Sequence, residues 1–288
     1  EKTVQDHNQK CQIHWWLSLS FYVKSFRTPW ILANSDNTTA FAGLGYSVDS
    51  KVDSNGHIVL GCSHIYSSSG EGLKFKLARI SNDKIQWRHR KPHLCYDDAY
   101  EFGKNIIELF YESMNELPKR VVIHKRTYFT EEEKQGIIDS ISDNNKIESI
   151  DLIEINFEDN IKYTSSKIVE GKACVDGFSV SRGSCILLNS KEALLWAHGV
   201  VPSVRNPNFS FYPGGRYIPK PLRIIKHYGV GSLEQIANEI LGLTKMNWNS
   251  LNMYSQLPAT ICSSNDIARI GKLIDSNSKH EYDYRYFI

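Results

Sequence analysis

The chain has 288 residues, a formal net charge of +2, 41% hydrophobic residues and 23% charged residues. This composition is ordinary for a globular protein, and the length suffices for one large domain or two small ones with a sizeable core. No uninterrupted apolar run of about 18 residues occurs, which excludes the usual membrane-spanning helix, so no membrane partner is expected.

The six cysteines are scattered along the chain, and no two of them form a Cys-x-x-Cys pair. This pattern favours reduced thiols in a cytoplasmic protein over a disulfide framework or a zinc site. His89, His93 and Cys95 form a weak candidate for a metal site. A solvated basic turn is the favoured interpretation of the same segment, because arginine and lysine are interspersed there.

The charges are distributed unevenly along the chain. Residues 193–233 contain no Asp or Glu, whereas residues 131–159 are strongly acidic. The first of these segments carries the basic side chains Arg205, Arg216, Lys220, Arg223 and Lys226. A polyanion would be attracted to such a surface and repelled elsewhere. A basic solvated loop is the alternative interpretation.

The hydrophobic pattern of the first half of the chain predicts a regular series of elements. After a helix-like opening at residues 13–26, three strands are predicted at 39–48, 57–66 and 73–80. A helix at 97–116, a strand at 120–124, a second helix from 130 and a strand at 149–155 follow. Asn55-Gly56 predicts a tight turn between the first two strands. Thr130-x-x-Glu133 is a capping-box pattern, which predicts the start of the second helix. Two antiparallel hairpins followed by helix crossovers is the order of elements in the RNase H fold.

The second half is less regular. Two strands are predicted at residues 177–180 and 184–188, and three helices at 232–241, 244–253 and 263–274. Five of the nine prolines lie between Pro202 and Pro221. Proline lacks the N–H that a helix interior or a central strand requires, so neither is expected in that region.

Six segments, in this order, resemble the PIWI domain of prokaryotic Argonautes. They are Tyr22-Val23-Lys24 with Pro29-Trp30, Ala42-Gly43-Leu44-Gly45-Tyr46-Ser47, Arg120-Val121-Val122-Ile123-His124-Lys125, Pro219-x-Pro221-Leu222-Arg223, Leu243-Thr244-x-Met246-Asn247-Trp248 and Leu257-Pro258-Ala259-Thr260-Ile261. The resemblance implies an α/β, RNase H-like fold with a mixed sheet flanked by helices. It also implies two parts, a lead-in segment at residues 1–38 and the PIWI domain at residues 39–288.

The same resemblance implies where catalytic acids should lie. RNase H-type cleavage uses two divalent cations about 4 Å apart, held by acidic side chains. The family pattern has acidic or metal-binding residues where this chain has Gly45, Arg126 and Asn265. A further glutamate would come from the loop near Glu71. We therefore expect no catalytic metal pair and no enzymatic activity in this chain. An active guided endonuclease whose acids lie elsewhere is the alternative.

The resemblance also implies binding partners, namely a guide RNA or DNA and a complementary target DNA. The candidate nucleic-acid-binding residues are Lys125, Arg126, Arg216, Lys220, Arg223, Lys226, Lys245, Asn247 and Arg269. Four of them, between residues 216 and 226, are interleaved with aromatic residues, which suits a nucleic-acid path. Lys245 and Asn247 are expected to begin a helix, whose N-terminus favours phosphate.

Two further expectations depend on the resemblance alone. The carboxylate of Ile288 is expected to help hold Mg²⁺ at the 5′ phosphate of the guide. Loss of the acids is similar to the catalytically inactive short prokaryotic Argonautes, which work with an APAZ-containing effector protein that is Toll/interleukin-receptor-like, sirtuin-like or a nuclease. The implied role is target recognition that activates this effector in antiphage defence.

Overall fold

The computed structural model describes residues 7–33, 38–48, 57–62, 67, 74–81, 85–88, 91–163, 166–175, 180–201, 218–248, 254–270, 282–283 and 285. Its helices are α1 (His7–Lys24), α2 (Tyr96–Met114), α3 (Glu131–Ser142), α4 (Leu233–Leu243) and α5 (Ala259–Ile270). Its strands are β1 (Thr39–Val48), β2 (His57–Cys62), β3 (Lys74–Ser81), β4 (Gln86–Arg88), β5 (Lys91–His93), β6 (Arg120–Lys125), β7 (Ser149–Phe157), β8 (Ser166–Val169), β9 (Lys172–Val175), β10 (Cys185–Leu187), β11 (Glu192–Leu195), β12 (Leu222–Tyr228) and β13 (Tyr282–Asp283).

Nine of the described strands form one mixed sheet in the order β10-β11-β12-β7-β6-β1-β2-β3-β13. Strands β1, β6 and β7 are parallel to one another, and their other neighbours are antiparallel. In register, Lys125 of β6 lies between Leu44 of β1 and Glu154 of β7. The carboxyl ends of the three parallel strands therefore lie at one edge of the sheet.

Helices cover both faces of the sheet, and successive residues of a strand alternate between the two faces. Ala42 and Leu44 of β1 pack with α2 and α3 in one core. Phe41 packs in a second core with residues of α1, α4 and α5. Burial on both faces explains why β1 is almost continuously apolar and why β6 and β7 each place consecutive apolar residues, Val121-Val122 and Leu152-Ile153, on opposite faces. None of the helices in the described ranges is long and apolar enough to cross a bilayer.

The carboxylate of Glu133 joins four parts of the first core. It lies at the start of α3, where Thr130 and Glu133 form the predicted capping box, which is confirmed. Glu133 accepts hydrogen bonds from Thr130 N (3.0 Å), Leu94 N (2.8 Å), Lys125 Nζ (2.6 Å) and Tyr46 Oη (3.1 Å), and His93 Nδ1 lies 3.2 Å away. The side chains of Glu133, Lys125 and His93 are fully buried.

His93 therefore belongs to this buried cluster and not to a solvated basic turn, so that prediction is wrong for His93. His89 lies outside the described residues. No group of three His, Cys, Asp or Glu side chains that could hold a metal ion occurs among the described residues.

Helix α5 packs directly on two glycines of β1. A Cβ atom at Gly43 would collide with the backbone carbonyl of Thr260. A Cβ atom at Gly45 would lie 2.6 Å from the carbonyl carbon of Ser264 and 2.9 Å from the backbone nitrogen of Asn265. The absence of a side chain at both positions is what lets the helix backbone approach the strand so closely.

The second half of the chain departs most from the predictions. Strands β11 and β12 were not predicted, and β12 is an interior strand that lies between β11 and β7. Residues 244–248 are not helical, and residues 249–253 lie outside the described part. Helix α5 begins at Ala259 rather than Ser263. Of the two strands predicted before the proline-rich region, the second corresponds to β10, and most of the first is not described.

Replacing Glu133 by Gln should destabilise the protein by about 3–5 kcal/mol, because it leaves the Lys125 ammonium buried without a counter-charge. Burial raises the pKa of Glu133, but the hydrogen bond from His93 and the charge of Lys125 outweigh burial and lower that pKa from 4.5 to about 2. The ionised form therefore contributes stability above pH 4.5, and this contribution is lost as the pH falls towards 2. Urea unfolding followed by circular dichroism measures both effects.

Between pH 5 and pH 3 the wild type should lose about 2 kcal/mol more than Glu133→Gln. The control is Glu131→Gln, because Glu131 is exposed and its ion pair with Lys134 lies at the surface; it should cost less than about 1 kcal/mol. If Glu133→Gln and Glu131→Gln lowered the free energy of unfolding equally, the buried cluster would contribute no more to stability than a surface ion pair.

Replacing Gly43 by Ala should cost about 1–3 kcal/mol, because the new methyl group meets the backbone of α5 and forces the helix away from β1. Gly242→Ala in α4 is the matched control, since its new methyl group would meet only the Leu32 side chain at 3.3 Å. Alanine favours a helix over glycine, so this control should be neutral or stabilising by up to about 1 kcal/mol. Thermal unfolding of both variants tests the packing, and a Gly43→Ala variant as stable as the control would contradict it.

Candidate nucleic-acid interface

The three positions expected to have lost catalytic acids lie together at the carboxyl ends of the parallel strands. Leu44 pairs with Lys125 at the end of the ladder between β1 and β6, and Gly45 and Arg126 are the residues that directly follow this pair. Asn265 of α5 is half-buried, and its backbone nitrogen lies against Gly45. The structure therefore brings together three residues that are far apart in the sequence, and none of them offers a carboxylate.

The guanidinium of Arg126 is held over an aromatic ring. Its Cζ lies 5.0 Å from the centroid of the Phe157 ring, at the end of β7. Burial lowers the pKa of Arg126, against an opposing electrostatic contribution from Cys262 of α5. Phe157 was missed in the sequence because the predicted strand ended at Ile155. The alternating apolar pattern of residues 149–157 is the signal that could have extended it.

The neighbouring His124 is buried beneath α5. Its Nδ1 lies 2.8 Å from Thr260 Oγ1. Burial, together with the charge of Arg120, lowers the pKa of His124 to about 3, so the ring is neutral at pH 7. His124 therefore fixes α5 on β6 without adding charge to the interface.

Lys125 does not belong to this interface, which corrects the expectation that it faces phosphates. Its side chain points to the opposite face of the sheet, is fully buried and forms an ion pair with Glu133 at 2.6 Å. Lys125 and Arg126 are consecutive, and successive side chains along a strand point to opposite faces of the sheet, so Arg126 lies on the other face from Lys125.

Two basic residues of the segment between residues 216 and 226 form ion pairs with acidic side chains. Lys220 pairs with Asp159 at 2.5 Å. Arg223 pairs with Glu158 at 3.3 Å and with Glu192 at 2.8 Å. These acids come from the end of β7 and from β11, which lie beside β12 in the sheet. The expectation of an unopposed basic face is corrected for these two residues. Arg216 lies outside the described residues.

Lys226 lies near the other end of β12 and lines a cavity of about 470 Å³ between the end of α3, the start of β7 and the end of β12. Its Nζ donates a hydrogen bond to the carbonyl of Gly231 at 2.8 Å. The cavity is at the amino end of β7, whereas Arg126 is at the carboxyl end. Lys226 and this cavity are therefore separate from the candidate interface.

The remaining candidates lie in two places. Lys245 is exposed and Asn247 half-buried in the turn after α4, where Asn247 donates to Ser255 Oγ at 3.3 Å. They do not begin a helix, so the argument from a helix N-terminus is wrong for both. Arg269 is exposed in the last turn of α5, with Asp266 at 3.1 Å. Glu71 and Ile288 lie outside the described residues.

No protein-family model and no curated protein matches the sequence. Among solved structures, the Argonaute of Clostridium butyricum bound to a guide DNA and a 19-mer target DNA matches with a TM-score of 0.65 and 19% identity, over 100% of this chain and 34% of that one. An Argonaute of Aquifex aeolicus matches with a TM-score of 0.60 and 19% identity, over 94% of this chain and 34% of that one.

The chain thus spans about a third of the length of the structures that it matches. At this identity the likeness shows the fold alone. The prediction of an RNase H-like, mixed sheet flanked by helices is confirmed, and the chain has a fold like that of the PIWI part of Argonautes.

Proposed function

We propose that this chain binds a guide–target nucleic-acid duplex and does not cut it. The observation that supports the second part most directly is the packing of α5 on β1. The backbone at Ser264 and Asn265 occupies the space that a side chain at position 45 would need. A carboxylate at this position would have to displace the helix.

The chemistry of the other two positions supports the same proposal. Divalent cations such as Mg²⁺ bind hard oxygen ligands, most often carboxylates. Arg126 brings a positive charge to the place where such ions would be held, and a guanidinium repels a metal ion. Asn265 is neutral. The environment around the three positions therefore suits an anion better than a pair of metal ions.

Binding is proposed through phosphates, with sequence read by base pairing between the guide and the target. The guide is RNA or DNA and the target is DNA. Among the described candidates, Arg126 and Lys245 form no ion pair with a described carboxylate, and exposed Arg269 pairs with one acid of its own helix, Asp266, at 3.1 Å. We propose these three as phosphate contacts. Lys226 is not included because it lies at the other end of β7 from Arg126. The likeness to an Argonaute bound to guide and target DNA supports this choice of ligand.

The finer parts of the proposal depend on the resemblance to short, inactive prokaryotic Argonautes. Recognition of the target would activate an associated APAZ-containing effector, and the biological role would be prokaryotic immunity. The enzymatic activity would then reside in the effector. Mg²⁺ at the 5′ phosphate of the guide, held in part by the carboxylate of Ile288, belongs to the same proposal.

The protein, purified together with its proposed APAZ-containing effector and loaded with guide, should bind a matched target but leave it intact in Mg²⁺ or Mn²⁺. Gel analysis of an end-labelled target checks this outcome. The double variant Gly45→Asp/Arg126→Asp should also fail to cleave, because α5 blocks the new side chain at position 45; it should be destabilised by at least about 1–3 kcal/mol. Metal-dependent cutting at one defined bond would support the guided endonuclease instead.

The salt dependence of binding should separate the basic residues. Each phosphate contact that is lost reduces the slope of log Kd against log salt by about one unit. Lys245→Ala should show this change, and Arg269→Ala should show part of it, because Asp266 lies 3.1 Å from the Arg269 guanidinium at an exposed site. Lys220→Ala and Arg223→Ala should change the slope less, because Asp159, Glu158 and Glu192 already neutralise these two side chains.

Fluorescence anisotropy with a labelled duplex at several salt concentrations measures these slopes. Lys104→Ala on α2 is the control, since Lys104 is exposed and α2 covers the face of the sheet opposite to α5. A full unit of slope lost in Arg223→Ala, with none lost in Lys245→Ala and Arg269→Ala, would reverse the assignment.

A further inference from the structure

The guanidinium of Arg126 lacks a counter-charge within the described residues. No hydrogen bond or ion pair links it to a carboxylate there. The Arg126 side chain is half-buried, and its Nε atom is buried without a hydrogen-bond partner among the described residues. Arg120, by comparison, is paired with both Asp151 at 2.7 Å and Glu239. Because a buried charge or polar group without a partner costs free energy, such a group is a candidate for pairing with a ligand.

The orientation of Arg126 is restricted. Its guanidinium lies over the face of Phe157 at 5.0 Å, and Phe157 is itself packed against the second core. A guanidinium fixed in this way has lost part of its conformational freedom before any ligand arrives, so less is lost on binding. Its planar N–H groups match the geometry of two phosphate oxygens.

The position of Arg126 in the sheet also points to a ligand. It directly follows β6, and β1, β6 and β7 are parallel and end at the same edge. In open α/β sheets, ligands bind in the crevice outside the carboxyl ends of parallel strands. The cavity lined by Lys226 lies at the opposite edge and offers no competing explanation for Arg126.

We propose that Arg126, supported by Phe157, binds one particular phosphate of the duplex and thereby positions it at the centre of the interface. This inference rests on the proposed function, since it names the contact by which the duplex is held there. The contact is made by a side chain, so it requires no divalent cation.

The test measures target binding with targets that carry a neutral methylphosphonate at one position at a time. In the wild type, one position should lose about tenfold in affinity, because a hydrogen bond to a charged group is removed. Arg126→Gln should bind the unmodified target about tenfold more weakly and be insensitive to methylphosphonate at that same position. Arg126→Lys should recover only part of the affinity, because it keeps the charge but not the planar fork.

Phe157→Leu should weaken the same single position while the other positions stay as in the wild type, and Lys104→Gln should match the wild type throughout. All measurements are repeated in EDTA, where the coupling between Arg126 and that phosphate should persist. Thermal unfolding checks that each variant is folded. If Arg126→Gln does not fold, Arg126→Lys and Phe157→Leu test whether Arg126 contacts that phosphate.

An equal effect of Arg126→Gln at every position, or no effect, would overturn the assignment of Arg126 to one phosphate while leaving duplex binding in place. If the wild type binds no duplex at all, the proposed function itself fails, and the two failures are therefore distinguishable. Loss of the coupling in EDTA would show that a metal ion, not the guanidinium, makes the contact.

Discussion

The contact between the backbone of α5 and the glycines of β1 determines the geometry of the candidate interface. Gly43 and Gly45 lie on alternate positions of the strand and so face the same side, and α5 approaches both. The helix is further fixed by the hydrogen bond between Thr260 and the neutral His124. Together these contacts bring the middle of α5 to the carboxyl ends of β1 and β6, where Arg126 lies.

Strand β6 separates two kinds of polar interaction with a single step along the chain. Lys125 points into the first core, where Glu133 neutralises it and several parts of the fold meet. Arg126 follows on the opposite side and stacks on Phe157. The first residue is held for stability and the second remains available at the sheet edge. Neighbouring basic residues in the sequence can thus differ completely in what they can bind.

The sequence predicted the features that depend on short-range patterns. The run of small and apolar residues predicted β1 with its bounds at Thr39 and Val48, and the spacing of the Thr130 hydroxyl and the Glu133 carboxylate predicted the start of α3. It did not predict the partner of Lys125, because the contact with Glu133 depends on how α3 packs against β6. It did not predict the partners of Arg223, because Glu158 and Glu192 lie 65 and 31 residues away in the sequence. Strand β12 was not predicted because it adjoins the proline-rich region. Its first residue, Leu222, directly follows Pro221, so the strand itself contains no proline. From the sequence, Gly45 was interpreted as standing where the family pattern has an acid, and that interpretation stays a prediction; its role in admitting the backbone of α5 could be seen only in the fold.

The close approach of α5 also bears on how such a protein can change during evolution. A carboxylate at position 45 needs the helix to move outward, and a metal ion needs the charge at position 126 to be removed. An acidic residue at position 45 would lower stability, because the helix and strand are in backbone contact, and a single substitution would leave one of the two obstacles in place. Selection acting on single mutations would therefore remove the intermediates. Under the proposed function, a chain packed in this way would gain a new activity more readily through a change in an attached protein than through a change at this site.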